Sequence, residues 1–375
     1  RTPFYAYARE HISDRIEALR RSLPRQVDLH YAIKANPMPA VVQHIAPLVD
    51  GLDVASGREM QVALNAGVSP PFISFAGPGK SLEELQRAVA ADIVLNVESE
   101  LEIERLRQIA KDTNARPRIA IRVNPDFELK TSGMKMGGGP KQFGIDAERV
   151  PDVLISLKDS PLDFQGFHIF SGSQNLRADA IVEAQQKAVT LAVKLAAHAP
   201  GPVRTLNIGG GFGIPYFPGE KPLDLEPIAT NLRELVTRVN NELSGAQLTL
   251  ELGRYLVGEA GVYVCSVLDR KLSRGQVFLV TDGGLHQHLA ASGNFGQVLR
   301  KNYPVIVGNR VRGTEREIAN VVGPLCTPLD ILGDRIEIAR ADVGDLVVVL
   351  QSGAYGFTAS PLGFLSHPSP LEVLI

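Results

Sequence analysis

Apolar segments of strand length alternate with amphipathic segments over residues 8–257 of the chain. The predicted strands lie near residues 28–34, 51–55, 71–75, 92–96, 117–123, 164–170, 204–208 and 247–251. Most of the intervals have helical periodicity, for example 38–49, 82–90, 98–111, 178–198 and 227–242. An open, doubly wound sheet would fit this alternation. However, eight strand-helix units in about 250 residues are typical of a (β/α)8 barrel, so we expect a closed sheet.

The pattern changes from Gly258 onward, where shorter apolar runs are separated by turns rich in glycine, proline and asparagine. The runs at 262–268, 277–281, 305–307, 318–322 and 346–350 indicate strands. This arrangement predicts a second, all-β domain. We expect an α/β chain in which the barrel spans residues 8–257 and residues 1–7 and 258–375 form the β domain.

The composition narrows the class of function. The chain has 375 residues, of which 44% are hydrophobic, and its formal net charge of −2 implies no general attraction to nucleic acid or an anionic membrane. The two cysteines, Cys265 and Cys326, are too few for a disulfide framework. Because no membrane-length apolar run or signal-peptide pattern is visible, we expect a soluble cytoplasmic protein that acts on a small molecule.

Polar side chains occupy the carboxyl ends of several predicted strands, where barrel enzymes collect their catalytic groups. The first strand ends on Lys34, the second on Asp53 and the fifth on Arg122. His168 and Phe170 end the sixth strand, and their spacing places them on one face. A lysine amine becomes a nucleophile when burial or neighbours lower its pKa. Lys34 is therefore a candidate nucleophile, and a solvated lysine at a strand end is the alternative.

Glycine-rich loops follow the sixth and seventh predicted strands, at residues 171–173 and 209–213. Glycines let backbone N–H groups approach an anion, and barrels commonly hold a phosphate in the loops after strands seven and eight. The eighth strand ends in Glu251-Leu-Gly-Arg254, which adds an arginine. Each feature alone could be a tight turn or a structural ion pair. Together with Lys34 they supply what pyridoxal 5′-phosphate needs: an imine former, a phosphate site and a partner for the pyridine nitrogen.

The motifs from Tyr31-Ala-Ile-Lys-Ala-Asn36 to Gly353-Ala-Tyr-Gly356 span nearly the whole chain. In them the sequence resembles the fold-type III pyridoxal-phosphate decarboxylases of ornithine, arginine and diaminopimelate. The resemblance implies that Lys34 carries the cofactor as an internal Schiff base. It also implies that Glu251 pairs with the pyridine nitrogen and keeps it protonated, which deepens the electron sink. The implied phosphate ligands are Ser173, Gly211, Arg254 and Tyr355.

The resemblance implies a second set of residues that act on the substrate. In the family, the loop that corresponds to Gly323-Pro-Leu-Cys326 comes from the second subunit of a homodimer, and its cysteine delivers a proton to the substrate carbon. Asp282 matches an aspartate that faces the substrate. Cys326 also follows Gly-Pro in a turn, where a thiol is accessible, and a small buried thiol is the alternative. For Cys265, inside the apolar run 262–268, burial is the better interpretation.

Three positions depart from the family pattern. Phe170 replaces the histidine that usually stacks on the pyridine ring; a phenyl ring can stack but cannot hydrogen-bond, and His168 on the same face could compensate. Thr327 replaces the acidic residue that reads a distal ammonium, and Ala290 replaces the arginine of diaminopimelate decarboxylases. A charged substrate group without its usual partner is poorly tolerated. We therefore expect a substrate other than ornithine or diaminopimelate.

The segments 168–173 and 282–288 are more similar to a branch of the family found in natural-product and polysaccharide gene clusters. Some members of that branch decarboxylate an amino acid, such as glutamate, while it is tethered to an acyl carrier protein. Such carriers are acidic, and the basic run from Arg300 to Arg312 could receive one. A solvated basic face is the alternative interpretation of that run.

These observations predict a pyridoxal-phosphate-dependent α-decarboxylase of a free or carrier-bound amino acid. It would work as a homodimer with its active site at the subunit interface, and without a metal. The predicted catalytic residues are Lys34 and Cys326, and Asp282 and Thr327 are the predicted substrate contacts. The alternatives are a decarboxylase of free diaminopimelate or ornithine, a racemase on the same barrel, and a non-catalytic regulator. The predicted cofactor-binding residues are Lys34, Asp53, Arg122, His168, Phe170, Ser173, Gly210, Gly211, Glu251, Gly253, Arg254 and Tyr355.

Overall fold

The computed structural model describes residues 1–127, 137–243, 245–295, 297 and 300–375, together with the backbone of residues 134 and 135. The chain divides into two compact units. The barrel unit contains Ser13–Ile214 and Pro222–Gly253, and the β unit contains Arg1–Ile12, Pro215–Lys221 and Arg254–Ile375. The domain limits that we expect from the sequence are 8–257 for the barrel and 1–7 with 258–375 for the β domain. They differ from the limits of these compact units and remain a prediction.

Strands and helices alternate in the barrel unit, and strands dominate the β unit. Within the described residues the helices are α1 Arg9–Ser22, α2 Pro39–Ile45, α3 Gly57–Asn65, α4 Leu82–Ala90, α5 Glu100–Thr113, α6 Val150–Ser156, α7 Ala178–Ala196, α8 Glu226–Glu242 and α9 Arg254–Val257. The strands are β1 Phe4–Tyr7, β2 Val27–Ala32, β3 Gly51–Val54, β4 Ile73–Phe75, β5 Val94–Val97, β6 Arg118–Asn124, β7 Met134–Lys135, β8 Ile145–Asp146, β9 Asp163–Ile169, β10 Gly172–Ser173, β11 Thr205–Gly210, β12 Gln247–Leu252, β13 Gly261–Ser273, β14 Gln276–Thr281, β15 Val305–Val307, β16 Arg316–Val322, β17 Ile331–Ala339, β18 Leu346–Val349 and β19 Leu371–Leu374. No helix in this part of the chain is both long enough and apolar enough to cross a membrane.

Eight parallel strands of the barrel unit form a closed sheet. Their order is β5-β4-β3-β2-β12-β11-β9-β6, and β5 also pairs with β6, which closes the ring. The predicted fold class, a (β/α)8 barrel with an additional β domain, is confirmed. Because all eight strands are parallel, their carboxyl ends meet at one rim, and this rim collects the polar residues that end the predicted strands.

Serine side chains begin three of the barrel helices. Ser56, Ser81 and Ser99 are the N-cap residues of α3, α4 and α5, and each hydroxyl accepts a hydrogen bond from the backbone N–H three residues later. In α4 the Glu84 carboxylate accepts from the Ser81 N–H in return, which completes a capping box. A cap of this kind stabilises a helix by about 1 kcal/mol. The sequence pattern Ser-x-x-Glu therefore marks where these helices begin.

The first barrel strand ends before Lys34. β2 stops at residue 32, and Lys34 lies in the short 3-10 turn Ile33–Ala35. Asn36 stabilises the turn of the backbone after Lys34, because its Oδ1 accepts a hydrogen bond from the backbone N–H two residues later. The Tyr31 hydroxyl donates to the Asn36 carbonyl at 2.9 Å. The lysine is thus carried on a turn that is fixed at its carboxyl end.

The β unit is built on one mixed sheet. Its strand order is β15-β18-β13-β14-β16-β17, and β1 pairs antiparallel with β13 and parallel with β19. The sequence pattern predicted neither β17, in which charged residues interrupt the apolar run, nor the four-residue β19. The rings of Tyr5, Tyr263 and His288 pack together in the core, with centroids 4.9 to 5.7 Å apart.

His288 is a buried titratable group in this cluster. Its Nε2 lies 2.9 Å from Ser352 Oγ, and its Nδ1 accepts a hydrogen bond from the Ala291 N–H at 3.2 Å. Accepting at Nδ1 requires that this nitrogen carry no proton, so the hydrogen bonds assign a neutral ring with its proton on Nε2. Burial lowers the pKa of His288 to about 3.

We predict that His288→Gln reduces the acid sensitivity of the fold. The pKa of His288 is about 3 in the folded chain against an ordinary value of 6.5, so the unfolded chain binds one more proton between these values. Stability therefore falls as the pH is lowered through 6.5, by up to about 1.4 kcal/mol per pH unit for this residue. Urea unfolding at neutral pH and near pH 5 tests the prediction. The variant should lose less stability over that interval than the wild type, and equal losses would contradict a neutral buried ring.

Candidate active site

Glu251, near the end of β12, lies between two nitrogen groups. Its Oε1 is 3.4 Å from Lys34 Nζ, and its Oε2 is 3.1 Å from His168 Nε2. The Glu251 side chain is only 6% exposed, whereas the Lys34 side chain is 41% exposed. The carboxylate is therefore enclosed in the barrel, while the lysine amine is accessible.

These contacts set the charge of Glu251. Burial alone would raise the pKa of its carboxyl, but the positive charge of Lys34, the contact with His168 and the charge of Arg122 hold that pKa below its usual range. Glu251 consequently keeps its negative charge in the interior. A buried carboxylate of this kind can pair with a protonated ring nitrogen, which is the role predicted for Glu251.

Strand register explains why residues distant in sequence meet at this rim. Glu251 of β12 is in register with His30 of β2, and Lys34 follows at the end of β2. Arg122 of β6 is likewise in register with His168 of β9. These side chains lie near one level of the barrel because parallel neighbours present corresponding residues side by side.

A chain of hydrogen bonds crosses four neighbouring strands inside the barrel. Asp53 Oδ1 lies 3.3 Å from His30 Nδ1 and accepts a hydrogen bond from the Ser74 hydroxyl. Asn96 Nδ2 donates to Ser74 Oγ at 3.1 Å. Burial would lower the pKa of His30, but the Asp53 carboxylate raises it above its usual value. Asp53 Oδ2 is buried without a hydrogen-bond partner among the described residues, so it is an acceptor that no described group satisfies.

Asp53 was predicted as a site residue, and His30, Ser74 and Asn96 were not. For His30 a signal was present, because polar residues take every second position in Val-Asp-Leu-His-Tyr of β2.

Arg122 is held by a second buried carboxylate. Its Nη1 donates to Glu98 Oε1 at 2.8 Å, and both side chains are less than one tenth exposed. Glu98 also accepts hydrogen bonds from the backbone N–H groups of Gly77 and Gly144. The structure thus places Arg122 in a network with Glu98, a residue that the sequence analysis did not name. The predicted cofactor contact of Arg122 remains a prediction.

Phe170 and His168 contact different groups. The phenyl ring of Phe170 lies against Gly209, where an added Cβ would be 2.3 Å from Phe170 Cδ2, and Lys34 Nζ is 5.6 Å from the ring centroid. His168 is 2% exposed and lies against Glu251. Phe170 follows the last residue of β9, so strand alternation no longer governs its direction. Phe170 is therefore the aromatic side chain beside the lysine amine, and its stacking on a cofactor ring remains a prediction.

The glycine-rich loops after β9 and β11 pack against each other. Gly209 and Gly211 have φ angles of +67° and +73°, a conformation that L side chains rarely adopt. A Cβ at Gly211 would lie 2.3 Å from the Gly172 carbonyl oxygen, and the Asn175 N–H donates to the Gly211 carbonyl at 3.0 Å. Ser173 stands between these contacts on β10. The loops therefore form a backbone surface of the kind that binds phosphate.

Gly210 and Gly253 bring neighbouring backbone close to the same part of the barrel. A Cβ at Gly210 would lie 2.4 Å from the Glu251 carbonyl oxygen. A Cβ at Gly253 would lie 2.9 Å from the side chain of Ala35, in the turn that carries Lys34. Both positions thus need glycine for steric reasons, and their predicted cofactor contacts remain predictions.

Arg254, in the β unit, is enclosed by two tyrosines. Its Nη1 donates to the Tyr216 hydroxyl at 2.6 Å, and its Cζ lies 5.3 Å from the Tyr216 ring centroid and 4.7 Å from that of Tyr355. In the described part of the chain no carboxylate lies within 4.0 Å of the Arg254 guanidinium. A largely buried cation without an acidic partner suits an anion.

Groups of the barrel unit fit pyridoxal phosphate, because an accessible lysine amine lies beside an ionised carboxylate and a glycine-lined backbone surface is present. In the β unit, taken by itself, Arg254 suits an anion such as a phosphate. Tyr216, which sequence reasoning missed, has no motif that would have revealed it.

The two predicted substrate residues are engaged within the β unit. Asp282 Oδ1 accepts a hydrogen bond from the Ser266 N–H at 2.7 Å, and its Oδ2 accepts one from the Thr2 hydroxyl at 2.6 Å. The Thr327 hydroxyl accepts from the Leu329 N–H at 3.3 Å. Both side chains therefore support the local fold, and their predicted contacts with substrate remain predictions.

The two thiols differ in accessibility, as the sequence indicated. Cys326 is an exposed free thiol, and Cys265 is a buried one. Burial raises the pKa of the Cys265 thiol to about 12. Cys326 is thus the thiol that is available to reagents and substrates.

Comparison with known proteins agrees with a site for pyridoxal phosphate. A family model described as "Pyridoxal-dependent decarboxylase, pyridoxal binding domain" matches residues 9–258. The L-glutamyl-(BtrI acyl-carrier protein) decarboxylase of Niallia circulans is 38% identical over 379 residues, which cover 100% of this chain and 88% of that protein. The diaminopimelate decarboxylase of Aquifex aeolicus is 34% identical over 377 residues, with 100% and 86% coverage.

A solved structure is also similar over the whole chain. The diaminopimelate decarboxylase of Helicobacter pylori, in complex with L-lysine, superposes with a TM-score of 0.88 at 29% identity, and the match covers 100% of this chain and 92% of that one. The similarity therefore extends beyond the barrel to the β unit.

We predict that one thiol per chain reacts with a chromogenic thiol reagent under native conditions and that two react after unfolding. The physical reason is that Cys326 is exposed, whereas Cys265 is buried and its pKa is raised to about 12, so that it forms almost no thiolate. Cys326→Ser is the matched control and should reduce the native count to zero. Rapid reaction of two thiols in the folded wild type would contradict the prediction.

Proposed function

The chain belongs to the pyridoxal-dependent decarboxylases, and on that basis we propose that it removes the α-carboxylate from an amino acid tethered to an acyl carrier protein. Membership in this family gives the cofactor, pyridoxal phosphate, and the reaction class, decarboxylation of an amino acid. That the amino acid is tethered to a carrier goes beyond family membership and is our proposal. The observation that carries this step is the pair of uncharged residues Thr327 and Ala290, which offer no charged partner to the distal end of a substrate.

Pyridoxal phosphate, when bound, supplies the electron sink that makes loss of carbon dioxide feasible. We assign Lys34 to hold it covalently, because the Lys34 amine is accessible and lies beside Glu251. Glu251 is assigned to the ring nitrogen, because its carboxylate stays charged although it is buried. The surroundings of the ring are assigned to Asp53, Arg122, His168 and Phe170. The phosphate is assigned to Ser173, Gly210, Gly211, Gly253, Arg254 and Tyr355.

Cys326 is assigned to proton delivery. Once the carboxylate has left as carbon dioxide, the carbon retains the electron pair and must gain a proton. An exposed S–H can supply that proton, and the resulting thiolate is reprotonated from solvent. We propose that the chain acts as a homodimer in which this loop serves the second copy.

The distal end of the substrate distinguishes tethered from free amino acids. Free diaminopimelate and ornithine carry a charged distal group, and leaving such a group without a partner reduces catalysis strongly. In an amino acid joined to a carrier through its distal carboxyl, that charge is consumed by the thioester. A site with Thr327 and the apolar Ala290 then needs no charged side chain to bind the distal end of the substrate. The similarity to a decarboxylase of a glutamyl carrier supports the same choice.

The basic run between Arg300 and Arg312 gives weaker support. Arg310 Nε lies 2.9 Å from Asp345 Oδ2, and Arg310 Nη2 lies 3.3 Å from Asp342 Oδ2. An acidic carrier would have to compete with these ion pairs, which already compensate the arginine. We therefore rest the carrier assignment on the distal end of the substrate. We also propose a cytoplasmic location, which agrees with the two free thiols.

Carbon dioxide release from a panel of substrates tests the proposed function. Holoenzyme is given glutamyl carrier protein, free glutamate, diaminopimelate and ornithine in parallel. We expect release from the carrier-bound substrate with a kcat/KM well above that for any free amino acid. Release from a free amino acid alone would overturn the tethered substrate while keeping the decarboxylase. Interconversion of L- and D-forms without gas would favour the racemase, and a colourless protein that cannot be reconstituted would favour the regulator.

We predict that Lys34→Ala abolishes the near-visible absorption band of the lysine-bound cofactor and reduces carbon dioxide release to background. The physical reason is that the accessible amine beside Glu251 is lost. Lys187→Ala is the matched control, because that lysine is 43% exposed and pairs with Glu183 on α7. The control should keep both the band and the activity. Normal turnover by a folded Lys34→Ala protein would overturn the role assigned to Lys34.

A further inference from the structure

Asp330 joins two separate segments of the β unit through its carboxylate. Its Oδ1 accepts a hydrogen bond from the Leu285 N–H at 2.6 Å, and its Oδ2 accepts one from the Leu325 N–H at 2.8 Å. The residue is 2% exposed. One buried side chain therefore holds the segment after Asp282 and the loop that contains Cys326.

The backbone of Asp330 adds contacts on both sides of Cys326. Its carbonyl accepts from the Gly323 N–H at 3.0 Å, and its N–H donates to the Thr327 carbonyl at 3.3 Å. Cys326 itself lies between Leu325 and Thr327, which both contact Asp330. The position of the thiol is thus fixed from each side by the same residue.

Two glycines make room for the Asp330 carboxylate. A Cβ at Gly284 would lie 2.2 Å from Asp330 Oδ1, and a Cβ at Gly323 would lie 2.3 Å from Asp330 Oδ2. Real Cβ atoms do not approach so closely, so any side chain at these positions would displace the carboxylate. The glycines of Asp282-Gly-Gly and Gly323-Pro-Leu-Cys therefore serve the contact with Asp330.

No cationic side chain neutralises Asp330 at short range. Among the described residues no lysine, arginine or histidine nitrogen lies within 4.0 Å of its carboxylate, so backbone N–H groups are its partners there. Hydrogen bonds from backbone groups are directional and hold the loop in one arrangement, whereas an ion pair with a long side chain would adapt to several.

We propose that Asp330 is a positioning residue for Cys326: it holds the loop so that the thiol delivers its proton to one face of the substrate carbon. The assignment rests on the proposed function of Cys326 and adds to it the group that fixes its direction. In the step, the S–H bond breaks, a C–H bond forms at the carbon that lost carbon dioxide, and sulfur keeps the electron pair.

Hydrogen exchange of the wild-type holoenzyme provides the first test. The amides of Leu285 and Leu325 should be protected from exchange and should open together, because one carboxylate accepts from both. Residue-resolved hydrogen–deuterium exchange measures this without any variant. Exchange of the Leu325 amide at the rate of an unprotected loop would overturn the clamp, whatever the enzymatic activity.

The Asp330→Asn variant provides the second test. The amide group of asparagine turns a donor toward one of the two N–H groups, so at least one of the protected amides should exchange roughly tenfold faster. With the loop released, kcat should fall roughly 10–100-fold while KM changes little. Gly284→Ala displaces the same carboxylate from the other segment and should reproduce the effect.

The direction of protonation separates positioning from general damage to the fold. In deuterated water the wild type should place deuterium on the product carbon in a single configuration. Asp330→Asn and Gly284→Ala should give a mixture of configurations. Asp334→Asn is the matched control, because that carboxylate is 42% exposed and contacts only the neighbouring Arg335 among the ion pairs described.

The outcomes are distinct. A single configuration from folded Asp330→Asn protein, at any rate, would overturn the positioning role. Absence of carbon dioxide release by the wild type from every substrate would overturn the proposed function, while the exchange experiment would still decide whether Asp330 clamps the loop. If the variants do not fold, protection of both amides in the wild type supports the clamp and its absence overturns it.

Discussion

The contacts of the buried Glu251 carboxylate are the interaction on which the geometry of the candidate site depends. An isolated ion in a protein interior is very costly, because it loses the water that would solvate its charge. Here the Lys34 amine, in the turn after β2, and the His168 ring, on β9, both lie against the Glu251 carboxylate. β2 and β12 are paired neighbours in the parallel sheet and β9 is separated from β12 only by β11, so their carboxyl ends lie at one edge of the sheet. The strand order thus determines which charged groups meet at Glu251.

Two other buried carboxylates accept hydrogen bonds from backbone N–H groups. Glu98 accepts from the N–H groups of Gly77 and Gly144 as well as from Arg122, and Asp330 accepts from two N–H groups of the β unit. Each carboxylate organises irregular backbone that would otherwise lack hydrogen-bond partners. Loops next to the rim and next to Cys326 therefore owe their shape to single acidic side chains.

The sequence was sufficient for the barrel. Alternating apolar segments located all eight strands, and strand ends supplied Lys34 and Glu251 as candidates, whose contact the structure shows and whose roles stay predictions. It was insufficient where the decisive fact is register between strands: the pairing of His30 with Asp53 depends on which residues of β2 and β3 lie side by side. It also failed for β17 and β19, because a strand with charged residues on one face and a strand of four residues give little hydrophobic periodicity.

The phenyl ring of Phe170 affects which groups near Lys34 can gain or lose a proton. It lies 5.6 Å from the Lys34 amine, at the place where a histidine would add a proton-binding group to the rim. A hydrocarbon ring binds no proton at any physiological pH, so this side chain presents no titrating charge to the Lys34 amine, whereas a histidine there would change its charge near neutral pH.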